Sequence, residues 1–293
     1  MKIIFFGTPT QVIPVLEELT KHHEVVAVVT APDQKVGRKQ LLTPPPVKVF
    51  AEKHNIPVLQ PEKLTDEISQ LSTLNSQLYV VAAYGKIIPK KILDIPQYGA
   101  INIHPSLLPK YRGSTPIQST LLDGIKNSGV SFILMDAQMD HGPLLHQIPF
   151  AISPTDTFDW LMHNMFSQAS IILPSVIQNY TDGKTTAQTQ DETQATYTKI
   201  ITRQDGYIDI DNPPPPDHIE RMTRAYYPWP NAWTTVRMKN KELRIKLLPH
   251  SSHPELDSGS PILMQMEGKQ PVSLKDFING YPELQTLIQK LFA

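Results

Sequence analysis

In "INIHPSLLPKYRG", residues 101–113, Asn102 and His104 stand two positions apart in an apolar run, and two aspartates, Asp136 and Asp140, follow in "LMDAQMDHGPLL", residues 134–145. In a strand, residues two apart share a face, so Asn102 and His104 project together while Ile101 and Ile103 point the other way. A carboxamide can donate to an oxygen gaining negative charge, an imidazole can donate or move a proton, and a carboxylate beside the ring fixes its orientation. Such a set suits acyl transfer to an amine. Asp140 sits in the tighter turn, before His141-Gly142-Pro143, and is the expected partner. A plainer reading stays open, in which strand-end polar residues satisfy loop backbone groups and the aspartate caps a turn.

Other chemistries recede. No G-x-S-x-G occurs, so a serine nucleophile is not expected, and "GTPTQV" lacks two of the glycines of a dinucleotide fingerprint. The turn "PSLLPKYRG" reads as a wall: Leu107 and Leu108 give an apolar surface for a flat ring system, with Pro105 and Pro109 fixing its shape.

The elements that must position these groups are short Val- and Ile-rich runs, expected as strands at 2–6, 24–30, 77–83, 99–104 and 129–135. Val12, Val15, Leu16 and Leu19 fall on one face of a helix capped by Thr8-Pro9. Buried strands alternating with helices predict a doubly wound α/β domain with a parallel sheet, whose ligands sit beyond the carboxyl ends of the strands. An aspartate after the strand at 129–135 is expected at that same edge.

Residues 1–183 are the expected catalytic domain, the polar, Thr- and Gln-rich stretch 184–205 a linker, and 206–293 a smaller β-rich, barrel-like domain with helices at 217–225 and 274–279. The 293-residue chain has a formal net charge of -1, so binding to nucleic acid requires a local patch. One is available. Arg221, Arg224, Arg237, Lys239, Lys241, Arg244 and Lys246 face only one acid, Glu242, with Tyr226, Tyr227, Trp229 and Trp233 among them. Trp233 is expected in the barrel core. A second basic run holds Lys35, Arg38, Lys39 and Lys48. Either run could equally be a solvated face.

The absence of cysteine fits a reducing compartment, and "MKIIFFGTP" is too short for a signal peptide or a span, so a cytoplasmic protein is expected. His250 and His253 lie in a polar loop without a third ligand, and no metal is expected.

"NIHPSLLPKYRG" followed by "DHGP", together with "FFGTP", "VVAAYGKIIPKKIL" and "YRGSTPIQ", resembles the folate-dependent formyltransferases. "TAPDQKVGRKQLLTPPPVKVF" and "MTRAYYPWPNAWTTV" are similar to the tRNA-acting branch of that family. The resemblance implies a Rossmann-like catalytic domain, a C-terminal OB-like β-barrel, and transfer of a formyl group from 10-formyltetrahydrofolate to the α-amine of methionine on initiator tRNA, by a monomer. It implies Asn102, His104 and Asp140 as catalytic residues; Ser106, Leu107, Leu108 and Pro109 as the folate-contacting turn; and Tyr84, Gly85, Ile87 and Ile88 as pocket lining. Lys35, Arg38, Lys39, Arg221, Arg224, Lys239, Arg244 and Lys246 become candidates for tRNA contact. An amino-sugar nucleotide formyltransferase and a non-catalytic RNA-binding protein are the rival readings. Thr10-Gln11 and His141 depart from the family pattern.

Overall fold

The run "LYVVA" is buried at every position, as a strand covered on both faces must be, and it lies at the middle of the sheet that carries the site. The computed structural model describes residues 1–37, 39–238, 241–252 and 261–292. In chain order the elements are β1 (Lys2–Gly7), α1 (Ile13–His22), β2 (Glu24–Val29), β3 (Gln34–Val36), β4 (Leu41–Thr43), α2 (Pro46–Lys53), β5 (Val58–Leu59), α3 (Ile68–Thr73), β6 (Leu78–Ala82), α4 (Lys90–Leu93), β7 (Ala100–His104), α5 (Pro116–Leu122), β8 (Asn127–Leu134), β9 (Leu144–Ala151) and α6 (Phe158–Thr181). They continue with α7 (Pro216–Tyr226), β10 (Ala232–Met238), β11 (Lys241–Pro249), β12 (Ile262–Met266), β13 (Val272–Ser273), α8 (Leu274–Gly280) and α9 (Gln285–Gln289).

The chain divides into two compact units, Met1–Ser114 with Ser128–Phe150 and Met162–Thr198, and Thr115–Asn127 with Ala151–Leu161 and Lys199–Ala293. Residues 184–198, expected as linker, group with the first unit. Short stretches from within 1–183 group with the second.

The first unit holds a seven-stranded sheet of order β5-β2-β1-β6-β7-β8-β9. Its first five strands pair in parallel, and the α/β expectation holds for them. β8 departs from it, running antiparallel to β7 with His104 opposite Ser131 and Ile101 opposite Leu134. A strand buried on both faces reads alike in either direction, which is why the sequence carried no sign of the reversal. The register of β7 is well determined. Ile101 and Ile103 are 0% and 1% exposed, and burying each contributes about 1.5–3 kcal/mol. A one-residue slip would move both onto the site's face and turn Asn102 and His104 into the apolar packing on the other. On the site's face, Ile4, Phe6, Ala27, Val29, Tyr79, Val81 and Ala100 form the core beneath it.

The second unit contains the antiparallel sheet β10-β11-β12-β13, which is what is seen of the expected barrel. Ala232, Thr234 and Val236 of β10 and Ile245 and Leu247 of β11 are buried on one face. Against α7, Pro216 occupies the first turn, where its missing N–H has no intrahelical partner to lose, and Ile219, Met222, Ala225 and Tyr226 bury one side of the helix. No described helix is long and apolar enough to cross a membrane.

Candidate active site

Strand alternation delivers Asn102 and His104 to one face at the end of β7, as their spacing requires. Asp140 reaches them by an unexpected route. Because β8 is antiparallel, its carboxyl end lies beside the start of β7, and the loop 135–143 folds back across the sheet face to bring the carboxylate in. There Asn102 Nδ2 donates to Asp140 Oδ1 at 3.1 Å, the backbone N–H of Gly113 donates to Oδ2 at 2.8 Å, and His104 Nδ1 stands 3.5 Å from the same Oδ2. His104, 3% exposed, donates from Nε2 to the carbonyl oxygen of Tyr111 at 2.9 Å. A carbonyl only accepts, so Nε2 must carry a hydrogen. The Nδ1 separation exceeds a normal N–H···O bond. Nδ1 and the carboxylate are therefore both able to meet a third group placed beside them.

Asp136, the other candidate, turns away from this cluster. Its Oδ2 bonds His141 Nδ1 at 2.6 Å, and His141 Nε2 lies 3.5 Å from Glu192 Oε1.

The turn after His104 is braced from below. Ser131 Oγ donates to the carbonyl of Ser106 at 2.6 Å and accepts from the N–H of Leu108 at 3.0 Å, while Gln147 Nε2 donates to the carbonyl of Leu108 at 2.9 Å. Ser106 is fully buried, its hydroxyl donating to the carbonyl of Lys110, so it shapes the turn rather than offering a free donor. Leu108 is buried, whereas Leu107 and Pro109 are half-buried. Of the second candidate group, Tyr84 and Ile88 face the core; burial pushes the Tyr84 hydroxyl up to about 12, so it stays neutral at working pH. Gly85 takes a φ of 81°, and Ile87 is 80% exposed, the one side chain of the four that faces outward.

Residues 1–177 match the family model described as formyl transferase, and residues 200–261 match the formyl transferase C-terminal domain. The chain belongs to the formyl transferase family. Among its relatives, a protein named methionyl-tRNA formyltransferase from Chloroflexus aurantiacus is 45% identical over 240 residues, covering 81% of this chain and 77% of that one. Another so named, from Herpetosiphon aurantiacus, is 37% identical and covers 98% of this chain and 100% of the relative. Among solved structures, the methionyl-tRNA formyltransferase from Clostridium thermocellum superposes with a TM-score of 0.60 at 18% identity, over 93% of this chain and 99% of that one. A 4-N formyltransferase from Francisella tularensis gives 0.65 at 17% identity, over 84% and 97%. At such identities the likeness is one of fold.

In this formyl transferase, several residues around the site carried no signal in the sequence. Arg112, wholly buried, bonds Glu192 through Nη1 at 2.9 Å and Nη2 at 2.6 Å, reaches Gln190 Oε1, and lies 5.8 Å from the Tyr197 ring centre. The guanidinium holds the Glu192 carboxyl below the usual range. A Cβ on Gly142 would lie inside the contact distance of the Leu134 carbonyl oxygen, so the Asp140 loop needs glycine there. Overpacking of this kind costs about 1–3 kcal/mol. Gly142→Ala is therefore expected to lower both melting temperature and turnover, measured by thermal unfolding and formyl transfer; an unchanged melting curve contradicts it.

The candidate tRNA residues separate into distinct groups. Lys35 and Lys39 are exposed on and beside the β3–β4 hairpin. Arg38 and Lys239 lie outside the described residues, as does His253. Arg244 and Lys246 project on the face of β11 opposite its buried residues, cross-strand from Thr235 and Trp233. The Arg244 guanidinium stacks 4.5 Å from the Trp233 ring, and Trp233 is half-buried on this outer face, not in the core as expected. Arg221 bonds Asp217 at 2.6 Å and the carbonyl of Leu122 at 2.9 Å. Arg224 is 8% exposed, its guanidinium bonded to both oxygens of Glu220 and to the carbonyl of Asp156. Among the described residues, no cluster of three or more His, Asp or Glu side chains forms a metal-binding group.

Proposed function

We propose that the protein formylates the α-amine of methionine on initiator tRNA, for translation initiation in the cytoplasm, and that 10-formyltetrahydrofolate would supply the formyl group. The observation that carries this is the convergence of Asn102, His104 and Asp140 within hydrogen-bond or ion-pair distance at one strand end. Relatives named for methionyl-tRNA, matched over nearly the full chain, favour that acceptor over a sugar nucleotide.

The site's chemistry follows from its geometry. An amide carries two N–H groups, and among the described residues Asn102 uses one, on Asp140, leaving the other for the formyl oxygen. Exposed Ile87 and half-buried Leu107 suit the flat ring of a pterin. An α-amine titrates near pH 8, so an appreciable fraction is already a free nucleophile at neutral pH. As its nitrogen bonds the formyl carbon, negative charge develops on the formyl oxygen. The free Asn102 N–H and, when the ring is protonated, the Nδ1–H of His104 donate to that charge; Asp140 takes up the amine proton and returns it to the donor nitrogen, which leaves protonated as its bond to the formyl carbon breaks.

For tRNA, the proposed contacts are Lys35, Arg38 and Lys39 near the acceptor end, and Arg244 and Lys246 on phosphates, with Lys239 and Arg221 adding charge. Arg224 is omitted because its guanidinium is committed within the fold. Arg244→Ala is expected to reduce the slope of log affinity against log salt by about 1. Arg224→Ala should leave that slope unchanged and lower stability instead. Equal slopes for Arg244→Ala and wild type contradict the assignment.

The deciding experiment offers a labelled formyl donor with methionyl-tRNA and a nucleotide-linked amino sugar in competition. Label is expected in N-formylmethionine after ester hydrolysis. Label in the sugar, or tRNA binding without transfer, refutes the reading.

A further inference from the structure

The stretch 182–199 reads as a polar connection, yet it bonds to both loops of the site. Gln188 and Leu144 exchange backbone hydrogen bonds at 2.8 and 2.9 Å, at the end of the Asp140 loop. Farther along, Arg112 N–H donates to the carbonyl of Thr196 at 2.8 Å, and Thr198 N–H to that of Arg112 at 2.7 Å. Arg112 lies between Tyr111, which accepts from His104, and Gly113, which holds Asp140. Between these two attachments sits Gln190, 4% exposed. Its Nε2 donates to the carbonyl oxygens of Asp140 at 2.8 Å and Gly142 at 2.7 Å. Its Oε1 accepts from Arg112 Nε at 3.1 Å and Nη2 at 2.8 Å.

We infer that Gln190 is a positioning residue for the transfer reaction: its amide fixes the backbone of Asp140 and thereby aims the carboxylate at Asn102 and His104. The inference rests on the reading of Asp140 given above. Asp140 has a φ of 50°, a left-handed conformation that costs a non-glycine residue about 1–3 kcal/mol and persists only where surrounding bonds hold it. Gln190 supplies that restraint through donors to carbonyls on either side of His141. Arg112 decides which way the amide faces. A guanidinium has only donors, so it can meet only Oε1, and Nε2 is forced toward the two carbonyls. His141, between the two carbonyls, makes no bond to Gln190: its Nδ1 bonds Asp136, and its Nε2 lies 3.5 Å from the Glu192 oxygen that Arg112 also holds.

The test compares kcat, KM for each substrate and melting temperature in full-length Gln190→Glu and Gln190→Met. Glutamate keeps the acceptor for Arg112 but turns oxygens toward the carbonyls; methionine removes both sets of bonds at similar volume. Expected is a fall in kcat of about 10- to 100-fold, the scale of a small misplacement of a reacting group, with KM within about twofold. Gln190→Glu should melt near wild type, which separates positioning from folding. In an Asp140→Asn background the Gln190 substitutions should add little, since residues acting through one another are not additive. Wild-type kcat in either folded variant overturns the inference, as does a full multiplicative loss in that background. Wild-type turnover by Asp140→Asn alone would overturn the reading of the trio and the inference with it.

Discussion

His104→Ala is expected to lower kcat by about 10²- to 10⁴-fold, the usual cost of removing a group that moves a proton or donates to a developing charge. The ring is 3% exposed and touches both sides of the site, Tyr111 through Nε2 and Asp140 across from Nδ1. Truncation removes the His104 donor to the Tyr111 carbonyl, an effect of about 1–3 kcal/mol on stability, tolerable for a domain of this size. KM should move little, because the lost interaction is made mainly in the transition state. Steady-state kinetics beside thermal unfolding would check it. Near-wild-type kcat in a folded variant contradicts the assigned role.

Asp140→Asn is expected to be equally severe, about 10²- to 10⁴-fold in kcat, for a geometric reason. The carboxylate accepts from Asn102 and from Gly113, and it faces His104 Nδ1. An amide in its place keeps one acceptor. With its oxygen toward Asn102, its NH₂ confronts the Gly113 N–H and the imidazole; turned over, it confronts the Asn102 amide. Donor then meets donor in either orientation, and the proton acceptor is lost as well. Circular dichroism should show a folded protein, while formyl transfer should nearly vanish.

Both residues were legible because local rules reveal them: period-two alternation set Asn102 and His104 on one face, and a tight glycine-containing turn picked Asp140 over Asp136. The path was not legible. Parallel and antiparallel partners of a buried strand read the same, so Asp140 was expected directly beyond the carboxyl end of a parallel strand, whereas it reaches Asn102 and His104 on the loop that follows an antiparallel β8. Arg112, Gln190 and Glu192 were missed because their bonds join residues 78 and 80 positions apart, and nothing local marks a glutamine in a Thr- and Gln-rich stretch as buried. Among the cations, charge alone could not separate Arg224 from Arg244. Glu220 four residues before Arg224 was the available clue, since that spacing favours a helical ion pair, and the pair in turn engages the guanidinium within the fold. Trp233 was expected in the barrel core; alternation with buried Ala232 and Thr234 puts it on the outer face, under Arg244.

The most direct test is a single-turnover assay with methionyl-tRNA and labelled 10-formyltetrahydrofolate, comparing the wild-type chain with a folded protein carrying Asn102→Ala, His104→Ala and Asp140→Ala together. Wild type should convert methionine to N-formylmethionine within one enzyme equivalent, and the triple variant should bind tRNA with unchanged affinity but transfer no measurable label. Comparable transfer by the two proteins would contradict the account.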